Sequence, residues 1–166
     1  MLYVAVFILI LGITTLVWAH DPKKPGANDK CAVCGMLVKA FPKWAAQIVF
    51  KDGTYVYFDG PKDMFKFYFD VAKYNKHKTQ ADISDIYVTE YYSAKTVKAD
   101  SVVFVIGSNV EGPMGTEVVP VPESKVKGFM LDHKGDKALK FSEITVSDIP
   151  GAEMSGHKGM HDGNMK

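Results

Sequence analysis

The alternation of apolar and polar positions divides the chain into blocks. An uncharged run, Leu2 to Ala19, opens it, and a polar stretch of Pro, Gly, Lys and Asp, residues 20–30, follows as a linker. Trp44 to Lys51 (WAAQIVFK) and Thr54 to Phe58 (TYVYF) read as two strands joined by an Asp52-Gly53 turn, the strongest local signal in the chain. Asp59-Gly60-Pro61 then punctuates the sequence. Pro61 suits a first helical turn, and Asp59 or Gly60 suits the N-cap. Met64, Phe65, Phe67, Tyr68, Val71 and Ala72 recur at spacings of three and four, which predicts a helix with one apolar face, ending in a loop over Asn75 to Gln80. Met64 reads as core and His77 as solvated surface.

The second half repeats the grammar. Ile86 to Tyr92 and Ser101 to Ile106 read as strands, the latter as an apolar run covered on both faces. Gly107 to Gly115 is a glycine-rich loop. Glu117 to Val121 is extended, and Pro120 puts it at an edge. Pro122 to His133 predicts a helix with Val126, Phe129, Met130 and Leu131 inward. Ala138 to Phe141 is a last short strand, and Ser142 to Ile149 holds a helical turn. TYVYFDGPKDMFKFYF and EVVPVPESKVKGFML both run from an extended segment through proline into an apolar-faced helix. The expected fold is therefore α+β: small mixed or antiparallel sheets with two helices, arranged as two related ββα units in one domain over residues 31–149. From residue 150 the core pattern stops, and residues 150–166 are expected to be disordered.

Composition narrows the function classes. The 166 residues carry 20 basic and 19 acidic side chains for a net charge of +1, with no basic patch, so no nucleic-acid partner is expected. Two cysteines are too few for a disulfide scaffold. Leu2 to Ala19 would span roughly 27 Å as a helix, close to a bilayer core. It reads either as a signal peptide cut after Ala19, given Val17-Trp18-Ala19, or as an uncleaved anchor in the inner membrane. Either way the remainder is expected to be exported.

The chemistry concentrates at Cys31-Ala32-Val33-Cys34-Gly35-Met36, which holds both cysteines. Four uses compete for such a pair. Structural zinc takes four protein ligands, and the chain has no further cysteine and no His-x3–5-His pair within the body of the domain. A redox dithiol should open a helix after a buried strand, whereas this pair follows a polar linker. A disulfide across so small a loop constrains little. Copper(I) is the soft ion that thiolates and thioethers select. Met36 adjoins the pair, and Met114 sits in Glu111-Gly112-Pro113-Met114-Gly115, whose neighbours make poor core. Residues 154–166 hold three of eight methionines and two of five histidines: Met154, His157, Met160, His161 and Met165, a flexible set suited to weak copper capture. No nucleophile–base pair or carboxylate cleft points to an enzyme. The class-distinct alternative is a membrane-tethered thiol–disulfide oxidoreductase using Cys31 and Cys34.

CAVCGM, AAQIVFKDGTYVYFDGPKDMFKFY, VFVIGSNVEGPMGTEVVP and LKFSEI together resemble the NosL proteins, copper-binding accessory proteins of nitrous oxide reductase maturation. The resemblance spans roughly residues 31–146. It implies a periplasmic protein that binds copper(I) and passes it toward the copper-sulfide site of the reductase or its assembly complex. It implies Cys34 and Met36 of the Cys-Gly-Met turn and Met114 of the Gly-Pro-Met-Gly loop as metal ligands, on two related ββα units. The family is usually a lipoprotein, but no lipobox cysteine ends the apolar segment here. Cys31 adds a second thiol to the turn.

Overall fold

The structure, a computed structural model, describes residues 20–152. The apolar N-terminal segment and the tail residues Met154, His157, Met160, His161 and Met165 lie outside the described residues. No helix among the described residues is long and apolar enough to cross a membrane.

The Asp52-Gly53 hairpin forms as its sequence predicts. β1 (Ala46–Phe50) pairs antiparallel with β2 (Tyr55–Phe58), and Gly53 turns the chain at φ 79°. The helix beyond Pro61 also forms, with Gly60 at the N-cap and proline in the first turn, as α1 (Pro61–Phe69). It does not run on to Asn75. Asp70 leaves helical geometry at φ −142° and its carboxylate accepts the Lys73 N–H, starting a separate turn, α2 (Val71–Tyr74). Ala72, expected on the apolar face, is consequently exposed.

β3 (Ile83–Thr89) returns on the other side of β1, beginning three residues earlier than its apolar pattern suggests. Ser84 and Asp85 hide that start. They are polar because they face residue 20: Asp85 accepts the His20 N–H at 3.0 Å, and Ser84 Oγ lies 3.3 Å from His20 Nδ1. Glu90 ends the strand by accepting the N–H groups of Tyr92 and Ser93. A short fourth strand, β4 (Thr96–Lys98), closes the first sheet in the order β2-β1-β3-β4.

The second sheet is built the same way. β5 (Val103–Ile106) is central. After a small hairpin, β6 (Glu111–Gly112) and β7 (Gly115–Thr116), the chain forms β8 (Val119–Val121) on one side of β5. α3 (Val126–His133) follows, and β9 (Lys137–Lys140) returns on the other side, giving the order β8-β5-β9. All strand pairs among the described residues are antiparallel. The repeat thus extends one strand beyond the expected ββα, to ββαβ: β1-β2-α1-β3 and β5-β8-α3-β9. Pro120 sits on an edge strand, where the missing N–H costs no ladder bond.

α1 and α3 are buried to different depths. Phe67 of α1 stands against Phe58 of β2 with ring centroids 5.3 Å apart, while Phe65 stands against Phe104 of β5 at 5.0 Å. α1 therefore packs against both sheets, within a core that includes Ile48, Phe50, Met64, Phe104 and Val118. The opposite face of β5 places Val105 in a smaller cluster with Val119, Val121 and Phe129 of α3, so β5 is covered on both faces as its apolar run requires. α3 buries Phe129 alone. Val126 and Met130 are half-buried, and Leu131, expected inward, points outward at 74% exposure because it lies off the Phe129 stripe.

Candidate metal centre

The cysteine turn is closed by backbone geometry. Lys30 and Leu37 form an isolated antiparallel bridge, the Cys31 N–H donates to Met36 O at 2.8 Å, and the Gly35 N–H donates to Cys31 O at 2.9 Å. Gly35 adopts φ 78°, a left-handed conformation that glycine reaches without strain. The turn docks on the free edge of the first sheet, where the Ala32 N–H donates to Tyr57 O of β2 at 3.1 Å.

That edge leads directly into the start of α1, and there the thiols meet two carboxylates. Cys31 Sγ donates to Asp63 Oδ2 and Cys34 Sγ to Asp59 Oδ2, each at 3.4 Å. One ligand atom from each of Cys31, Cys34, Asp59 and Asp63 lies within 4.8 Å of all the others. Asp59 and Asp63 are only 1% and 3% exposed, Cys31 is buried, and Cys34 is half-buried at the mouth. Asp59 Oδ1 is buried with no hydrogen-bond partner. Lys66 lies 3.3 Å from Asp63 Oδ1.

Both cysteines are free thiols. Burial pushes the Cys31 thiol well above the ordinary range, against the backbone N–H groups of Cys34, Asp59 and Val33 that bear on its sulfur. Burial also raises Cys34, against the Met36 N–H, and the Asp59 carboxylate adds to the effect. Burial thus favours the thiol form of both, while backbone N–H donors already face the sulfurs on which negative charge would develop.

Met114 lies at the two-residue tip of the β6–β7 hairpin, 51% exposed. The hairpin is clamped to the same helix start. Lys62 Nζ donates to Met114 O and to Thr116 O, both at 2.7 Å. Glu117 Oε1 accepts the Lys62 N–H at 2.6 Å and the Val118 N–H at 3.0 Å. The Glu117 side chain threads between Gly60 and Gly112, where an added Cβ would come within 2.4 and 2.6 Å of Oε2. Its burial pushes the carboxyl up to about 7. Met36 is half-buried within the turn, its carbonyl engaged by Cys31. Sequence patterns pointed to Cys31, Cys34, Met36 and Met114 but missed Asp59 and Asp63. Asp59 looks like a helix cap, and Asp63 like a first-turn acid favoured by the helix dipole. Their adjacency to a Cys-x-x-Cys motif exists only in three dimensions.

Comparison with known proteins agrees with this architecture. The NosL family profile matches residues 22–149. The copper-binding lipoprotein NosL of Stutzerimonas stutzeri is 26% identical over 141 residues, 81% of this chain and 72% of that protein. The crystal structure of the copper chaperone NosL from Shewanella denitrificans superposes with a TM-score of 0.65 at 23% identity, covering 76% of this chain and 97% of that one. With the family profile matched across nearly all of the folded part, this chain belongs to the NosL family.

Proposed function

We propose that this protein carries copper(I) as cargo in the periplasm and delivers it for assembly of the copper-sulfide site of nitrous oxide reductase, to the reductase itself or to its assembly complex. The observation that carries this reading is the pair of free thiols closed into one turn, Cys31 buried and Cys34 half-buried at its mouth, in a chain whose relatives are named as copper-binding. Cys31 and Cys34 supply thiolates, which a soft monovalent ion prefers over oxygen donors. Met114 supplies a neutral thioether from a hairpin fastened to the helix start beside the thiols. Met36 is the reserve thioether of the turn, and the Met154, His157, Met160, His161 and Met165 tail gathers the ion. Copper(I) must displace the thiol protons, and each thiol has a carboxylate oxygen 3.4 Å away to receive one. Low coordination leaves a position open for an incoming sulfur of the acceptor, so the ion moves by ligand exchange rather than by release into solvent. Residues 2–19 direct export and, if uncleaved, tether the domain to the inner membrane.

A thiol–disulfide oxidoreductase would need a lowered thiol, and burial raises both of these. Anaerobic copper(I) titration against a competing chelator tests the proposal. Wild type should take one ion per chain. Cys34→Ser should lose more than the roughly 100-fold that outer-shell partners cost, and Met114→Ala about tenfold. Absence of copper(I) binding by wild type overturns the function, and an unchanged Met114→Ala removes the thioether from the ligand set.

A further inference from the structure

Residues 20–23 are held against the first sheet. Opposed positions on neighbouring strands share a face, and the register sets Gln47 beside Tyr87 and Val49 beside Asp85 and Tyr55. The intervening Ile48 and Val88 belong to the core, so Gln47, Tyr55, Asp85 and Tyr87 line the opposite face. The segment crosses that face. Asp21 O accepts the Tyr55 hydroxyl at 2.9 Å, and Lys23 exchanges two hydrogen bonds with the Gln47 amide, at 2.9 and 3.1 Å. His20 is fixed at three points. Its N–H donates to Asp85 Oδ2 at 3.0 Å, its carbonyl accepts the Tyr87 hydroxyl at 2.5 Å, and its ring Nδ1 lies 3.3 Å from Ser84 Oγ.

Asp85 is 8% exposed, and its lysine partner Lys98 keeps 46% of its own side chain in water. A buried carboxylate is costly unless paired with charge, and one neutral N–H from His20 is a modest partner. His20 directly follows Val17-Trp18-Ala19, which fits the small-residue rule of a signal-peptide cut. We propose that Ser84, Asp85 and Tyr87 are a receptor for this chain's own processed amino terminus, and that the mature protein begins at His20. An envelope signal peptidase adds water across the Ala19–His20 peptide bond, leaving the carboxylate on Ala19 and the amine on His20. The amine takes up the proton that the new carboxyl releases. A charged donor then stands where the amide N–H stood, and charge-assisted hydrogen bonds are roughly twice as strong as neutral ones. The α-ammonium–Asp85 pair locks residues 20–23 across the sheet and frees the domain from the apolar segment. The same contacts oppose a permanent tether. An anchor ending at Ala19 would enter the domain with no slack, because the next residue is already fixed.

The full chain, exported in a Gram-negative host, tests this. The intact mass of the soluble envelope form should lack residues 1–19. A chain that keeps them in the membrane fraction, or that starts elsewhere, overturns the proposal. Docking is read separately, from the rate at which an acylating reagent labels the His20 amine at neutral pH, followed by peptide mass. Asp85→Asn should label about tenfold faster than wild type, because losing the carboxylate charge lowers the amine's proton affinity. Tyr87→Phe removes only the hydroxyl on the His20 carbonyl and should label faster by a smaller factor, which keeps a readout if Asp85→Asn does not fold. Lys98→Met, which takes away the other partner of Asp85, should label no faster than wild type. A wild-type rate in Asp85→Asn or in Tyr87→Phe, or a gain in Lys98→Met equal to that of Asp85→Asn, overturns the docked amine. Copper(I) titration of the same mature protein reads the carrier function independently, since none of these residues belongs to its ligand set.

Discussion

The two ββαβ units share one topology, yet among the described residues the candidate metal centre lies on the first. In both, a central strand pairs with a second, a proline-led junction enters a helix, and a third strand returns. The difference lies in what covers the helix. α1 is packed against both sheets, and its first turn is roofed by the cysteine turn and the β6–β7 hairpin. Pro61, Lys62, Asp63, Met64, Phe65 and Phe67 are all buried, whereas α3 rests on the outer face of the second sheet and buries Phe129 alone. A helix start presents N–H groups and tolerates acidic side chains at either junction. At α1 alone of these two, added segments cover that start and bring thiols to the carboxylates. The repeat supplies the frame, and residues 29–38 and the Met114 hairpin supply the candidate sulfur ligands.

The contrast between the helices breaks most sharply under core truncation. Phe65→Ala, which removes a ring touching Phe104 and Phe141 at 5.0 and 5.2 Å, should cost about 3–5 kcal/mol in denaturant melts. Leu131→Ala, on the exposed side of α3, should stay within about 0.5 kcal/mol of wild type. If the two variants melt alike, α1 is not the deeper helix.

Glycine exchange at the two helices should act with opposite signs. Gly60→Ala drives a Cβ into Glu117 and should destabilise by roughly 1–3 kcal/mol. Gly128→Ala in α3 meets nothing within 4 Å and should stabilise by about 0.5–1 kcal/mol. Thermal melts of both check the sign, and a neutral Gly60→Ala would mean that Glu117 does not hold its threaded position.

The last effect is pH-dependent and belongs to the joint between the units. Glu117 leads into β8 of the second unit but grips Lys62 of the first. Its folded-state carboxyl stands at about 7 against an ordinary 4.5. Between those values the folded chain keeps a proton that the unfolded chain has released. Stability should therefore fall as pH rises from about 4.5 to about 7, by up to ~1.4 kcal/mol per unit, and level off above. Urea melts of wild type and Glu117→Gln across that window should show the wild-type slope flattened in the variant. Parallel slopes would place the titration elsewhere.

Short-range patterns in the chain sufficed for the Asp52-Gly53 hairpin, the helix at Pro61, the edge position of Pro120 and the doubly covered β5. Each depends on residues a few positions apart, whose periodicity and turn preferences act locally. The start of β3 was obscured because Ser84 and Asp85 answer to His20, sixty-odd residues away. Leu131 was misplaced because the apolar stripe of α3 is only as wide as the single sheet face it meets. Asp59 and Asp63 were indistinguishable from ordinary helix-start acids until the Cys31 turn was seen lying over them. Tertiary packing alone decided that pairing, since burial and the approach of remote donors depend on which surfaces the folded chain leaves for water.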